Sequence, residues 1–136
     1  MKINLETDYA VRIVQSLANS GERMDANTLS ERTGVTPRFA LKILRKLVSA
    51  GLVNSYKGVG GGYELKSPPE EITLLQVIET IEGPIVISRC QQSGYQCDHP
   101  DDCSCYFHHL YNEVASDIAK KFGAVTFAPK KVGPNK

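Results

Sequence analysis

Thr36-Pro37-Arg38-Phe39-Ala40-Leu41-Lys42-Ile43-Leu44-Arg45-Lys46-Leu47-Val48-Ser49-Ala50-Gly51 is the stretch whose reading decides the fold. Threonine is a good helix N-cap, because its side chain accepts one of the backbone N–H groups left over in the first turn. Proline suits the first helical position, where no N–H is missed. Gly51 supplies the stop. At 100° per residue, Phe39, Ile43, Leu44, Leu47 and Val48 form a stripe to be buried. Arg38, Lys42, Arg45 and Ser49 gather within about 60° of one another on another side. One helix thus carries a core face and a cationic face.

The flanks give that helix its setting. Upstream, Asp25 can cap a short helix running through Leu29 to Arg32, and Gly34 ends it. Two short helices joined by a tight glycine-containing turn, the second one basic, form the helix-turn-helix pattern. Downstream, Leu52-Val53-Asn54-Ser55-Tyr56-Lys57 reads as a strand, Gly58-Val59-Gly60-Gly61-Gly62 as a turn and Tyr63-Glu64-Leu65-Lys66 as the returning strand. A hairpin in this place is a wing. Its glycines let the backbone turn tightly and approach DNA closely. They do not form a nucleotide-binding loop, which needs a helix after the glycines; here strands flank both sides.

Charge follows the same division. From Arg32 to Tyr63 there are six basic residues (Arg32, Arg38, Lys42, Arg45, Lys46, Lys57) and no acid, although the chain nets only +1. A basic island in an otherwise acidic chain marks a phosphate-contacting surface, against the plainer alternative of a solvated helix face.

Further out, Glu6 to Ser20 reads as a first helix, with Tyr9, Ala10, Ile13, Val14, Leu17 and Ala18 at helical spacing and Gly21 as its stop. Thr73-Leu74-Leu75-Gln76 is a capping box for a helix that ends at Gly83-Pro84. Phe107, Leu110, Tyr111, Val114, Ala115, Ile118, Ala119 and Phe122 form one broad apolar stripe on a last helix of roughly five turns. Its length suggests that part of the stripe faces a second copy. The fold class expected is mainly α with a small β-hairpin wing: a winged helix-turn-helix domain plus a long C-terminal dimerisation helix. The expected divisions are a winged domain over 1–83, a ligand-bearing loop over 84–105, the dimer helix over 106–123 and a flexible tail over 124–136.

That loop holds every cysteine (Cys90, Cys97, Cys103, Cys105), and the three histidines (His99, His108, His109) lie in it or just after it. A segment so polar offers no core for thiols to fill. Thiolate and imidazole are the ligands of zinc and of iron–sulfur clusters. Neither an apolar run of the roughly 18–20 residues that cross a bilayer nor a signal-peptide core is present. A cytoplasmic setting is expected, where clustered cysteines stay reduced and bind metal rather than pair. Nothing suggests catalysis: no Ser/His/Asp set stands out, and Cys103-Ser104-Cys105 lacks the βαβ setting of a thiol oxidoreductase.

The chain resembles the IscR/NsrR-type winged-helix regulators, bacterial transcription factors many of which hold an iron–sulfur cluster. The resemblance is carried by Thr7-Asp8-Tyr9-Ala10-Val11-Arg12, by Gly58-Val59-Gly60-Gly61-Gly62-Tyr63 and by the cysteine segment leading into the last helix, and spans residues 1 to about 128. It implies a cluster-sensing homodimer bound to a near-palindromic operator, most simply as a repressor. Thr36, Arg38, Phe39, Lys42 and Arg45 would meet DNA from the recognition helix, and Lys57, Gly60 and Gly61 from the wing. Cluster-binding members space three cysteines five residues apart, some with a histidine three positions after the last. Here six residues separate Cys90 from Cys97, and Tyr106 stands where a histidine after Cys103 would be. Cys105 and His108 restore the Cys-x-x-His spacing, with Leu110-Tyr111 in the family's register. The ligand set implied is Cys90, Cys97, Cys105 and His108, with Cys103 and the partner subunit's Asp8 as alternatives. A 2Fe–2S cluster is favoured over 4Fe–4S. Structural zinc, a metal-binding adaptor and a clusterless regulator of the same family are the competing readings.

Overall fold

Local capping chemistry starts and stops the helices. The computed structural model describes residues 2–98 and 105–129. Helix α1 (Leu5–Ser20) is capped by Asn4, whose Oδ1 accepts the Thr7 N–H at 2.8 Å. Helix α2 (Ala26–Thr33) starts where Asp25 Oδ1 accepts the Thr28 N–H at 2.7 Å, and ends at Gly34 with φ 78°. Helix α3 (Pro37–Ser49) has Thr36 as its cap, accepting from the Phe39 N–H at 3.3 Å. Helix α4 (Leu74–Glu82) opens on the full Thr73/Gln76 capping box. Helix α5 (Tyr106–Gly123) is different: Cys105 stands at its N-cap and makes no side-chain cap bond.

Strands β1 (Val53–Tyr56) and β2 (Gly62–Leu65) pair antiparallel, Val53 opposite Leu65 and Tyr56 opposite Gly62. The hairpin gains a third line of backbone that the sequence did not suggest. Met24, in the α1–α2 link, exchanges both ladder bonds with Tyr63, at 2.9 and 2.7 Å.

The core sits among α1, α2, α3 and the start of α4. Ala10, Ile13, Val14, Leu29, Ala40, Ile43, Leu44, Leu47 and Val77 are fully buried there. Within the α3 stripe, Ala40 lies at the centre, whereas Phe39 and Val48 are half-buried at its margin. Phe39 instead meets Tyr9 edge-on, ring centroids 5.3 Å apart.

The segment after α5 departs from the expected free tail as far as residue 129. Leu74 donates to the Val125 carbonyl at 2.9 Å, Thr126 bridges to Thr73, and Phe127 packs against the core while its N–H bonds the carbonyls of Pro69 and Ile72. This strap ties the end of α5 to the start of α4. The loop's other end is fixed to α5 by a 3₁₀ turn at Arg89–Gln91.

Candidate DNA interface and cysteine–histidine site

Thr36, Arg38, Phe39, Lys42 and Arg45 line one open groove along α3. Arg38, Lys42 and Arg45 are exposed. The ion pairs among the described residues are Arg12–Asp8, Arg23–Glu64 and Lys46–Glu6, so none of these three cations is paired with a described acid. Lys46 leaves the basic face: its Nζ reaches Glu6 Oε2 at 2.7 Å and clamps α3 to α1. Lys42 Nζ stands 5.6 Å from the Phe39 ring centroid, so that the ring forms an apolar floor beside the charge. Thr36 spends only acceptor capacity as a cap, leaving its hydroxyl proton available to a phosphate oxygen.

At the wing, Lys57 and Val59 are exposed, and Gly58 and Gly60 have φ of 80° and 77°. The next two glycines are required by the protein's own backbone. A Cβ on Gly61 would stand 2.5 Å from the Tyr56 carbonyl oxygen, and one on Gly62 2.7 Å from that of Met24. The expected close approach at these positions is therefore, first of all, an intramolecular one.

Among the six candidate metal ligands, the structure joins two directly. Cys90 Sγ lies 3.3 Å from His108 Nδ1. Two ligands of one tetrahedral metal, sulfur and imidazole nitrogen, stand roughly 3.5 Å apart, so this pair fits adjacent ligand positions. Two amides not foreseen in the sequence hold it. Gln91 Oε1 accepts the N–H groups of Ile87 and Ser88, at 2.7 and 3.0 Å, and its Nε2 donates to the Tyr111 carbonyl and to Asn112 Oδ1. Asn112 Nδ2, 3.1 Å from His108 Nε2, then occupies the far side of the imidazole. The nitrogen left facing Cys90 is Nδ1. The signal that could have found Asn112 is its i+4 spacing from His108, one turn along the same face.

The remaining described candidates do not join this pair in a group of three. Cys97 is exposed, Cys105 is half-buried at the start of α5, and Cys103 lies outside the described residues, as does His99. No group of three or more His, Cys, Asp or Glu suited to a metal occurs among the described residues. Asp8 is paired with Arg12 at 3.0 Å, both side chains half exposed. His109 is exposed, as expected.

The Rrf2 family, described as an iron-dependent transcriptional regulator, matches residues 3–129. The chain belongs to the Rrf2 family. Rrf2-family relatives include Protein aau3 of Rhizobium meliloti, 30% identical over 139 residues that cover 93% of this chain and 90% of the relative. The transcriptional regulator IscR of Vibrio campbellii is 28% identical over 128 residues, covering 93% and 74%. Among solved structures, CymR, the global cysteine regulator of B. subtilis, superposes with a TM-score of 0.75 at 22% identity, covering 93% of each chain. T. potens IscR does so at 0.73 and 22%, covering 94% and 84%. These likenesses confirm the winged-helix fold. As a member of the Rrf2 family the protein is a DNA-binding transcriptional regulator and not an enzyme. No helix among the described residues is long and apolar enough to cross a membrane.

Proposed function

We propose that this Rrf2-family regulator is a cytoplasmic homodimer, acting as a repressor, whose operator affinity is set by an iron–sulfur cluster bound between the 84–105 loop and α5. The observation that carries the reading is the 3.3 Å approach of Cys90 Sγ to His108 Nδ1, braced by Gln91 and Asn112. A thiol and an imidazole at this distance would suit neighbouring ligand positions, where the 84–105 loop meets a helix whose Tyr106, Phe107 and Val114 are exposed. Cys90, Cys97, Cys105 and His108 would hold the cluster, with Cys103 and the partner subunit's Asp8 as alternatives, and 2Fe–2S favoured over 4Fe–4S. Such a cluster supplies a centre whose oxidation, loss or nitrosylation changes its ligand demands.

The chain's own residues convert that change into affinity. Gln91 ties the loop backbone at 87 and 88 to α5 at 111 and 112. A shift in the loop is thereby a shift in α5. The two-fold axis of the dimer would lie along the apolar stripe of α5, so moving α5 alters the spacing of the two α3 helices. Half-sites about 34 Å apart on a near-palindrome are read only when that spacing fits. Arg38, Lys42 and Arg45 contact bases and phosphates in the major groove, Thr36 a phosphate, and Phe39 an apolar base edge. Lys57, Gly60 and Gly61 lie along the adjacent backbone or minor groove.

A second reading is favoured by one observation: the described residues assemble two ligands and not three. In it the protein is a clusterless Rrf2 regulator, or holds zinc. Anaerobic purification separates the two. A brown protein with visible absorption and matched iron and sulfide supports the sensor; a colourless chain, zinc-loaded or metal-free, overturns it.

A further inference from the structure

Arg23 belongs to none of the surfaces described so far. It sits in the α1–α2 link, and all its contacts are with the wing. Its guanidinium carbon lies 3.6 Å from the centroid of the Tyr56 ring, at the end of β1. Its Nε meets Glu64 Oε1 of β2 at 2.8 Å. Its Nη1 donates to the Gly60 carbonyl at the tip at 3.1 Å. The next residue, Met24, pairs on both sides with Tyr63. One side chain thus touches the first strand, the second strand and the turn between them.

Two strands of four residues make a marginal hairpin unless something packs on it. Here Val53, Tyr63 and Leu65 pack on the core of the domain, and a planar, forked cation adds a polar tie that reaches the tip. A lysine could supply the charge but neither the flat stacking face nor two donors held in a fixed fork. The guanidinium is already committed to Glu64, to Tyr56 and to a carbonyl, so it is not a free phosphate contact.

We propose that Arg23 is a wing-positioning residue: by holding Tyr56, Glu64 and Gly60 it fixes the 57–61 tip relative to α3, so that DNA affinity depends on a side chain that touches no DNA. The proposal rests on the DNA-binding reading of α3 and the wing. Its contribution passes through Lys57 at the tip, not through Arg23's own charge.

The test begins with a duplex selected from a random pool by the wild-type chain. Arg23→Ala is expected to weaken binding roughly tenfold, the size of one lost specific contact. Arg23→Lys should be as weak as Arg23→Ala. Protection of the backbone from hydroxyl radical should vanish at the wing position, while methylation protection of guanines under α3 persists. In a double-mutant cycle, Arg23→Ala with Lys57→Ala should be no weaker than the worse single variant. Tyr56→Leu, which removes only the stacking face, should reproduce the lost wing footprint and serves if Arg23→Ala does not fold. Wild-type affinity and footprint in Arg23→Ala or Tyr56→Leu, full rescue by lysine, or additive effects with Lys57→Ala would overturn the positioning role. If the wild-type chain selects no duplex, or Arg38→Ala with Lys42→Ala binds unchanged, it is the DNA reading of this surface that fails.

Discussion

Helices α3 and α5 are both amphipathic, yet the fold treats them differently. In thirteen residues α3 buries Ala40, Ile43, Leu44 and Leu47 completely; in eighteen residues α5 buries only Ala115. Tyr106 and Phe107 are 68% and 58% exposed, and Val114 is open as well. Both helices present an apolar stripe in the sequence, and the structure covers the two stripes to different degrees. The stripe of α3 is satisfied by α1, α2 and α4 of its own chain. That of α5 meets α4, the strap and the 3₁₀ turn, and keeps most of its N-terminal half uncovered. The helix complete within one chain is proposed to read DNA; the helix left incomplete is where a second copy is proposed to dock.

The most severe way to break this contrast is core truncation. Leu44→Ala should cost about 2–5 kcal/mol of unfolding free energy in urea titrations, since no neighbour can collapse into the space. Phe107→Ser, compared at concentrations low enough for single chains, should change it by roughly 0.5 kcal/mol. The same variant should lower the mass seen in sedimentation from two chains to one. Equal costs for the two substitutions would mean that α5 is no less covered than α3.

Next in size is the strap. Phe127→Ala should destabilise by about 1–2 kcal/mol, because this half-buried ring holds the far end of α5 against α4. Loosened hydrogen exchange at the Leu74 and Phe127 amides would be its signature. An effect confined to the amides of α1 would show instead that the strap serves the core and not α5.

The helix starts sharpen the comparison further. Thr36→Ala removes a cap that exists and should cost about 1 kcal/mol. Cys105→Ala removes none, and its unfolding midpoint in the metal-free chain should be unchanged.

A smaller effect than that of Thr36 concerns the cap at Asp25. The Thr28 backbone N–H, then its side chain, hydrogen-bond the Asp25 carboxylate and hold its pKa below the ordinary value. A pKa depressed by folding adds stability that is present above the unfolded value, near pH 4, and is lost as pH falls through the folded one. The unfolding midpoint followed from pH 5 downward should therefore fall less in Asp25→Asn than in the wild type. Identical slopes would remove Asp25 from the acid response.

What was legible in the sequence follows the range of the interactions. Asn4 aside, the caps at Asp25, Thr36 and Thr73 act across three residues and leave a local pattern, so helix starts could be read directly. The α3 stripe was legible for the same reason, although periodicity could not tell that Ala40 and not Phe39 takes the centre. Arg23 meets Glu64 across 41 positions and Gly60 across 37, and no local pattern announces such a meeting. Glycines 61 and 62 were noticed for the right geometry, but the oxygen that demands Gly62 belongs to Met24, far upstream. At the cysteine site the resemblance matched His108 to Cys105 by spacing, whereas the sulfur beside its ring is that of Cys90. The path of the loop, which decides how near the other thiols come to that pair, is not encoded in composition.

The strap has a consequence for the order in which the molecule is completed. Thr126 pairs with Thr73, 53 positions earlier, and Phe127 closes over a groove bounded by Val11 of α1 and Leu74 of α4. Loop-closure entropy rises slowly with length, so the pairing costs little more than a shorter one once the segment exists. During synthesis, however, chains fold from the N-terminal side as they emerge. The strap, made of the last described residues to leave the ribosome, can therefore reach this flank of α1 only after every described helix has emerged.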